Sequence, residues 1–279
     1  MAATQDEFAQ RHRLPVRLAH WVNVLCLLAL LLSGLQIFNA HPALYWGEIS
    51  RFDQPLFALQ AQRLPDGSLR GVTRIGSAAF ETTGVLGVSR NLAGKPAARG
   101  FPAWATIPAG KDLAQGRRWH FFFAWVFVIN GVAYLLWSWR ARHLSRDLLP
   151  SGPELRGIGA SVREHLRLRH PTGEAALRYN VLQKLAYLLM IRFVLPGLVL
   201  RGLAMSPGLS PVLDGMVGAV GGRQSARTWH FVLAIALVAF VLVHVAMVLI
   251  SGPINQLRAM VTGRYRVPRA KADPTEDAP

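Results

Sequence analysis

Apolar residues gather into four long runs along this chain, at 18–38, 119–139, 181–200 and 228–250, and most charged residues fall between them. Each run approaches the roughly 20 residues that a helix needs to cross about 30 Å of hydrocarbon. The pattern predicts an all-α membrane protein, a four-transmembrane-helix bundle spanning the whole chain as one domain. The first run follows Arg11, Arg13 and Arg17, as a signal peptide would. A signal-peptide apolar core is only about 7 to 15 residues, however, and this longer run carries His20 at its mouth, so we expect it to stay as a membrane helix.

Composition supports this class: 52% of the residues are hydrophobic and 16% charged, which does not describe a soluble domain with one buried core. A formal charge of +16 would point to nucleic acid in a soluble protein. In a membrane protein the position of the arginines is the better guide, and no nucleic-acid partner is expected. The N-terminal tail, residues 140–178 and residues 258–271 are arginine-rich and are read as cytoplasmic. Residues 39–118 are then periplasmic, a segment of about 80 residues, long enough for the charge rule to weaken. The loop 202–226 faces the same side. Both termini are expected inside, in a multi-pass protein of the bacterial inner membrane.

Histidines occupy matched depths in this topology. His230 and His244 lie 14 residues apart on the fourth run, roughly 21 Å of helical rise and nearly four whole turns, so they share a face near opposite membrane surfaces. His20 opens the first helix at the cytoplasmic surface, as His244 closes the fourth. His120 opens the second helix from the periplasm, at the depth of His230. One such histidine would as readily hydrogen-bond a neighbouring helix. Two depth-matched pairs point instead to two haem b groups, each held by two imidazoles. His41, near the periplasmic surface, is the rival to His120, although Pro42 and its place outside the apolar run favour a loop role. The single cysteine, Cys26, lies within a span, which leaves no CxxCH haem-attachment motif.

Arg17, Arg117 and Arg227 each precede one of these histidines by three residues, one turn nearer water on the same face, where haem propionates would project. Snorkelling arginines that merely flank membrane helices would look the same. The similarity of Arg117-Arg118-Trp119-His120-Phe121 to Arg227-Thr228-Trp229-His230-Phe231 favours the propionate reading, while Trp119 and Trp229 suit an interfacial belt equally well. Arg192 lies deep in the third run without an acidic partner there, just before Pro196-Gly197, and receives no role.

Together these residues resemble the prokaryotic di-haem b-type cytochromes that serve as membrane subunits of formate dehydrogenases, nickel-iron hydrogenases and related molybdenum oxidoreductases. The resemblance runs through His20-Trp21 with Ser33-Gly34, Trp119-His120-Phe121 and the spaced pair His230 and His244. It extends to Tyr179-Asn180-Val181-Leu182-Gln183-Lys184 at the mouth of the third helix, similar to a YNxxQK stretch of the formate dehydrogenase membrane subunit. There the asparagine lies at a quinone pocket beside the cytoplasmic haem, which implies a quinone site at Asn180, with Gln183 and Lys184 as further members. From the residues alone, helix capping or headgroup contact would use the same side chains.

The resemblance implies an electron-transfer subunit passing electrons between a periplasmic redox partner and the quinone pool, menaquinone or ubiquinone. The long segment 39–118 is a departure from those relatives. Its recurrent glycine, proline and aromatic residues, with a hairpin turn expected at 65–68, read as an ordered cap. Such extended loops resemble the cytochromes that accompany periplasmic sulfite-oxidase-like molybdopterin enzymes. The alternative is a stand-alone quinone-linked oxidoreductase acting directly on a small substrate such as superoxide. A haem-free proton carrier would need inverted repeats, which the chain lacks. Residues 143–170, with spaced leucines among arginines, read as an interfacial helix or loop. His165 and His170 there read as solvated surface, and the tail 271–279 as disordered.

Overall fold

The computed structural model describes residues 8–167, 179–206, 208–209 and 212–267, without the side chains of 164–166. The expectations for His165, His170 and the tail 271–279 therefore lie outside the described residues. The chain begins with strand β1 (Phe8–Gln10) and helix α1 (Leu14–Phe38). Strands β2 (Ala43–Leu44), β3 (Phe57–Arg63), β4 (Leu69–Ile75), β5 (Ala78–Glu81), β6 (Val88–Arg90) and β7 (Pro96–Ala98) precede helix α2 (Leu113–Arg140). Short helices α3 (Gly152–Arg156) and α4 (Ile158–Leu166) lead to the third span, made of α5 (Val181–Leu189), a π-helical turn (Met190–Val194) and α6 (Leu195–Ala204). Helices α7 (Asp214–Ala219), α8 (Arg223–Ile250) and α9 (Pro253–Thr262) and strand β8 (Arg264–Arg266) complete it.

Four helices are long and apolar enough to cross a membrane: Leu14–Phe38, Leu113–Arg140, Val181–Ala204 and Arg223–Ile250. Most begin before the apolar runs do. A helix satisfies its own backbone regardless of side chain, so polar first turns extend it outward. Arg17, Arg117 and Arg227 are thus helical residues. Apolar side chains such as Leu25, Phe122, Trp125, Leu242 and Leu249 stand exposed along the spans, as lipid-facing positions require.

The expectation of an all-α chain fails between α1 and α2. Residues 39–118 carry an antiparallel four-stranded sheet, ordered β2-β3-β4-β5, and a separate β6-β7 ribbon. The hairpin expected at 65–68 joins β3 to β4: Gly67 takes a left-handed φ of 83° and the Asp66 carboxylate accepts from the Ser68 amide at 2.9 Å and hydroxyl at 2.7 Å. Full register, from Phe57 opposite Ile75 to Arg63 opposite Leu69, follows from that turn.

Two compact units divide the chain. One comprises residues 22–130 and 195–236. Its core joins Phe38, Leu44 and Leu59 with Phe57, Phe101 and Phe231, and Phe38 stacks on Phe231 at 4.9 Å between ring centres. The cap is clamped to the start of α8. Thr228 Oγ1 donates to the Tyr45 carbonyl at 2.7 Å, the Gly47 amide donates to Ser225 Oγ at 2.8 Å, and the Arg223 amide donates to the Glu48 carboxylate at 3.0 Å. A carboxylate at this helix N-terminus is also favoured by the helix dipole. Gly222 makes the approach possible: its φ is 102°, and a Cβ there would stand 2.8 Å from the Glu48 nitrogen. Buried Arg99 donates to the Phe101 and Ala109 carbonyls and to Thr106 Oγ1, tying down the rest of the segment.

The other unit comprises residues 1–21, 131–194 and 237–279. There β1 pairs antiparallel with β8, so the two ends of the described chain meet. Arg11 lies over the Tyr265 ring at 4.5 Å, and Trp21 Nε1 donates to the Met260 carbonyl at 3.1 Å.

Candidate functional site

In the unit formed by 22–130 and 195–236, the rings of His120 and His230 lie with centres 6.3 Å apart and planes inclined at 64°. His120 is carried by α2 and His230 by α8, each about two turns from the helix start. His230 Nδ1 lies 3.0 Å from the Leu198 carbonyl of α6, and His120 Nδ1 lies 3.1 Å from Ser33 Oγ of α1. Each bond orients its ring and leaves Nε2 as the nitrogen available to a metal. Glycines back both rings: a Cβ on Gly34 or Gly202 would stand 3.4 Å from Cε1 of His120 or His230. Ser33-Gly34 carried part of the family resemblance. The roles of the Leu198 carbonyl and Gly202 had no sequence signal, because both depend on how α6 meets α8.

His41 takes no part in this pair. Its ring stacks on Tyr45 at 5.6 Å and meets Phe52 edge-on, while its carbonyl accepts from the Arg227 guanidinium. Burial, then the Arg227 charge, hold the His41 imidazole below its ordinary value.

In the other unit, His20 and His244 repeat the arrangement, again with ring centres 6.3 Å apart. His20 Nδ1 is buried without a hydrogen-bond partner among the described residues. Phe240, one turn before His244, stacks on it at 6.0 Å and 15°. Each pair would offer one imidazole nitrogen from each histidine to a haem iron, and the separation of the rings suits that role. Among the described residues no three His, Cys, Asp or Glu side chains converge as a bare metal ion would require.

The three arginines divide. Arg17 donates to the Val261 carbonyl at the end of α9 and keeps a buried Nε without a partner among the described residues. Arg227 lies over the Phe38 ring besides holding the His41 carbonyl. Arg117 is exposed over Phe121, its guanidinium 5.6 Å from the ring centre. Arg192 is exposed within the π-helical turn.

Asn180, Gln183 and Lys184 come together at the head of α5. Asn180 caps the helix, its Oδ1 accepting from the Leu182 amide at 2.9 Å and from Ser161 Oγ at 2.6 Å. Gln183 Oε1 accepts from the Asn180 amide at 3.2 Å, closing a capping box. Lys184 Nζ lies 2.8 Å from the Glu154 carboxylate of α3. Lys184, then Ser151, hold that carboxyl down to about 2. Capping and ion pairing thus occupy much of this polar group, and the Asn180 side-chain nitrogen stays without a partner among the described residues.

The sequence matches the prokaryotic cytochrome b561 family over residues 11–263. A curated relative from Azospira oryzae, provisionally named protein-methionine-sulfoxide reductase subunit YedZ1, is 34% identical over 158 residues, covering 56% of this chain and 75% of the relative. With four apolar helices and a match across nearly its whole length, the chain belongs to the prokaryotic cytochrome b561 family, multi-pass electron-transfer cytochromes of the bacterial inner membrane that bind haem b.

Proposed function

We propose that this protein is a di-haem cytochrome carrying electrons between a periplasmic molybdopterin oxidoreductase and the membrane quinone pool. The observation that carries this reading is the repetition of one geometry: two imidazole pairs, each at 6.3 Å. His120 and His230 hold one haem b, and His20 and His244 hold the other. When bound, haem supplies one-electron chemistry, and two imidazoles per iron leave no open position for substrate. Ser33 and the Leu198 carbonyl hold two of the rings in orientation. Arg17, Arg117 and Arg227 receive propionates, exchanging their present carbonyl and ring contacts for carboxylates. Arg17 Nε, buried without a partner among the described residues, supports that exchange.

Asn180 offers its amide to a quinone carbonyl, with Gln183 fixing the cap and the Glu154–Lys184 pair placing a cation beside it. The arginine distribution supports cytoplasmic termini and a periplasmic cap at 39–118. The cap then presents its aromatic surface to the redox partner; the relative's name, that of a protein-methionine-sulfoxide reductase subunit, supports an oxidoreductase in that role, and the resemblance of the extended loop makes it a sulfite-oxidase-like molybdopterin enzyme. The test is haem content per chain, with reduced-minus-oxidised spectra of the detergent-purified protein before and after a quinol analogue. Two b-type haems reduced by quinol are expected; a single haem or none overturns the four-histidine assignment.

A further inference from the structure

The unit formed by 1–21, 131–194 and 237–279 holds a second cluster of titratable side chains that haem binding and quinone contact leave unused. His143 lies just beyond α2 and is only 8% exposed. Its Nδ1 stands 2.6 Å from Oδ2 of Asp147, whose side chain is half exposed. A π-helical turn, Leu144–Leu148, carries Asp147 back over the imidazole. Trp137 and Tyr134 of α2 close around the ring at 5.4 and 6.4 Å.

A second pair lies within electrostatic reach of it. His12 is also buried, and its Nδ1 lies 3.4 Å from the Tyr179 hydroxyl. Tyr179 immediately precedes Asn180. His12 is within electrostatic reach of His143, and Tyr134 and Tyr179 are within reach of Asp147. One hydrogen-bonded acid–base pair therefore opens to water, while its neighbour abuts the residues assigned to the quinone. Apolar side chains would fill this space without desolvating polar groups, so packing alone gives no reason for the cluster.

We propose that Asp147 and His143, continued by His12 and Tyr179, form the proton path between water and a quinone bound beside Asn180. The path rests on Asn180 binding a quinone, as proposed for this protein's function. Each quinone reduced takes up two electrons through the cytochrome and two protons, which convert its two carbonyl oxygens to hydroxyls. Quinol oxidation returns both by the same routes. Asp147 exchanges protons with water, His143 accepts them from its carboxyl, and His12 and Tyr179 pass them inward.

His143 is faced by Asp147 from its own turn, Tyr134 from α2 and His12 from the N-terminal arm. His12 is faced by Arg11, His20, His143 and Arg17, and by Tyr179 at the head of α5, where Tyr187 follows. Burial first, then Arg11, hold His12 down to about 4. Near neutral pH its ring therefore has one nitrogen accepting and one donating, as a relay needs.

The test uses the full chain with haem bound, in detergent, and a short-chain ubiquinol as probe. Asp147→Asn and His143→Gln are each expected to slow quinol-driven haem reduction about 10-fold or more and to flatten its pH dependence. Ubiquinone affinity, read by fluorescence titration, and the dithionite-reduced spectrum should remain those of the wild type. Asp147→Glu should recover most of the rate. Wild-type rates and pH profiles in both variants would overturn the path while leaving the quinone site standing. Loss of ubiquinone affinity in the variants would place these residues in the pocket itself and overturn it too. A wild-type chain that neither binds ubiquinone nor is reduced by ubiquinol would remove the quinone site and the path together.

Discussion

At the residue scale, the assignments rest on which histidines meet and what holds them. His120 pairs with His230, whereas His41 stacks on Tyr45. His120→Ala is therefore expected to lose one haem of two and His41→Ala to retain both, measured as haem per chain. The same scale governs one acid response. His12 is held at about 4 in the folded protein, below its ordinary 6.5, chiefly by burial and then by Arg11. Between those values the unfolded chain binds the proton that the native one refuses, so stability is full above pH 6.5 and falls as pH drops towards 4. The melting temperature of His12→Gln should vary less across that window than that of the wild type. Depth-matched histidines were legible in the sequence, because helical periodicity places them. Their hydrogen-bond partners were not: Ser33 and the Leu198 carbonyl are 87 and 32 residues away from the rings they orient.

At the element scale, the apolar runs located all four spans but not their ends, since polar first turns continue a helix without continuing its hydrophobicity. The π-helical turn in the third span falls just before Pro196, consistent with the missing donor and ring bulk that the sequence already announced. The cap was legible as ordered, and its hairpin turn as a turn, yet its strands were too short to declare themselves. Asn39 holds the cap to the end of α1, accepting from the Phe101 amide at 2.6 Å and donating to the Phe101 carbonyl at 3.3 Å. Asn39→Ala should cost about 1–3 kcal/mol by leaving buried groups unpaired, seen as faster proteolysis of residues 40–110 in membranes. Gly222→Ala should loosen the same cap from its other side, because a methyl group there meets the backbone of Gly47 and Glu48.

For the whole molecule, topology and partner are decided by surfaces the chain displays to each side of the membrane. Cysteine placed at Asp66 should react with an impermeant maleimide from the periplasm, while a C-terminal fluorescent fusion should mature in the cytoplasm; the reverse labelling would invert the proposed orientation. What the sequence alone determined is the membrane class and the four spans, which depend on composition and the length of apolar runs, the shared face of His230 and His244, which depends on spacing within one helix, and the family, which the motifs around the histidines carried by resemblance. Only the tertiary structure decided that residues 39–118 form sheets clamped to α8, that Asn180, Gln183 and Lys184 are engaged in a cap and an ion pair, and that His12 meets Tyr179. These are contacts between segments far apart in the chain, set by helix packing and by the need to satisfy buried polar groups, and no local pattern encodes them.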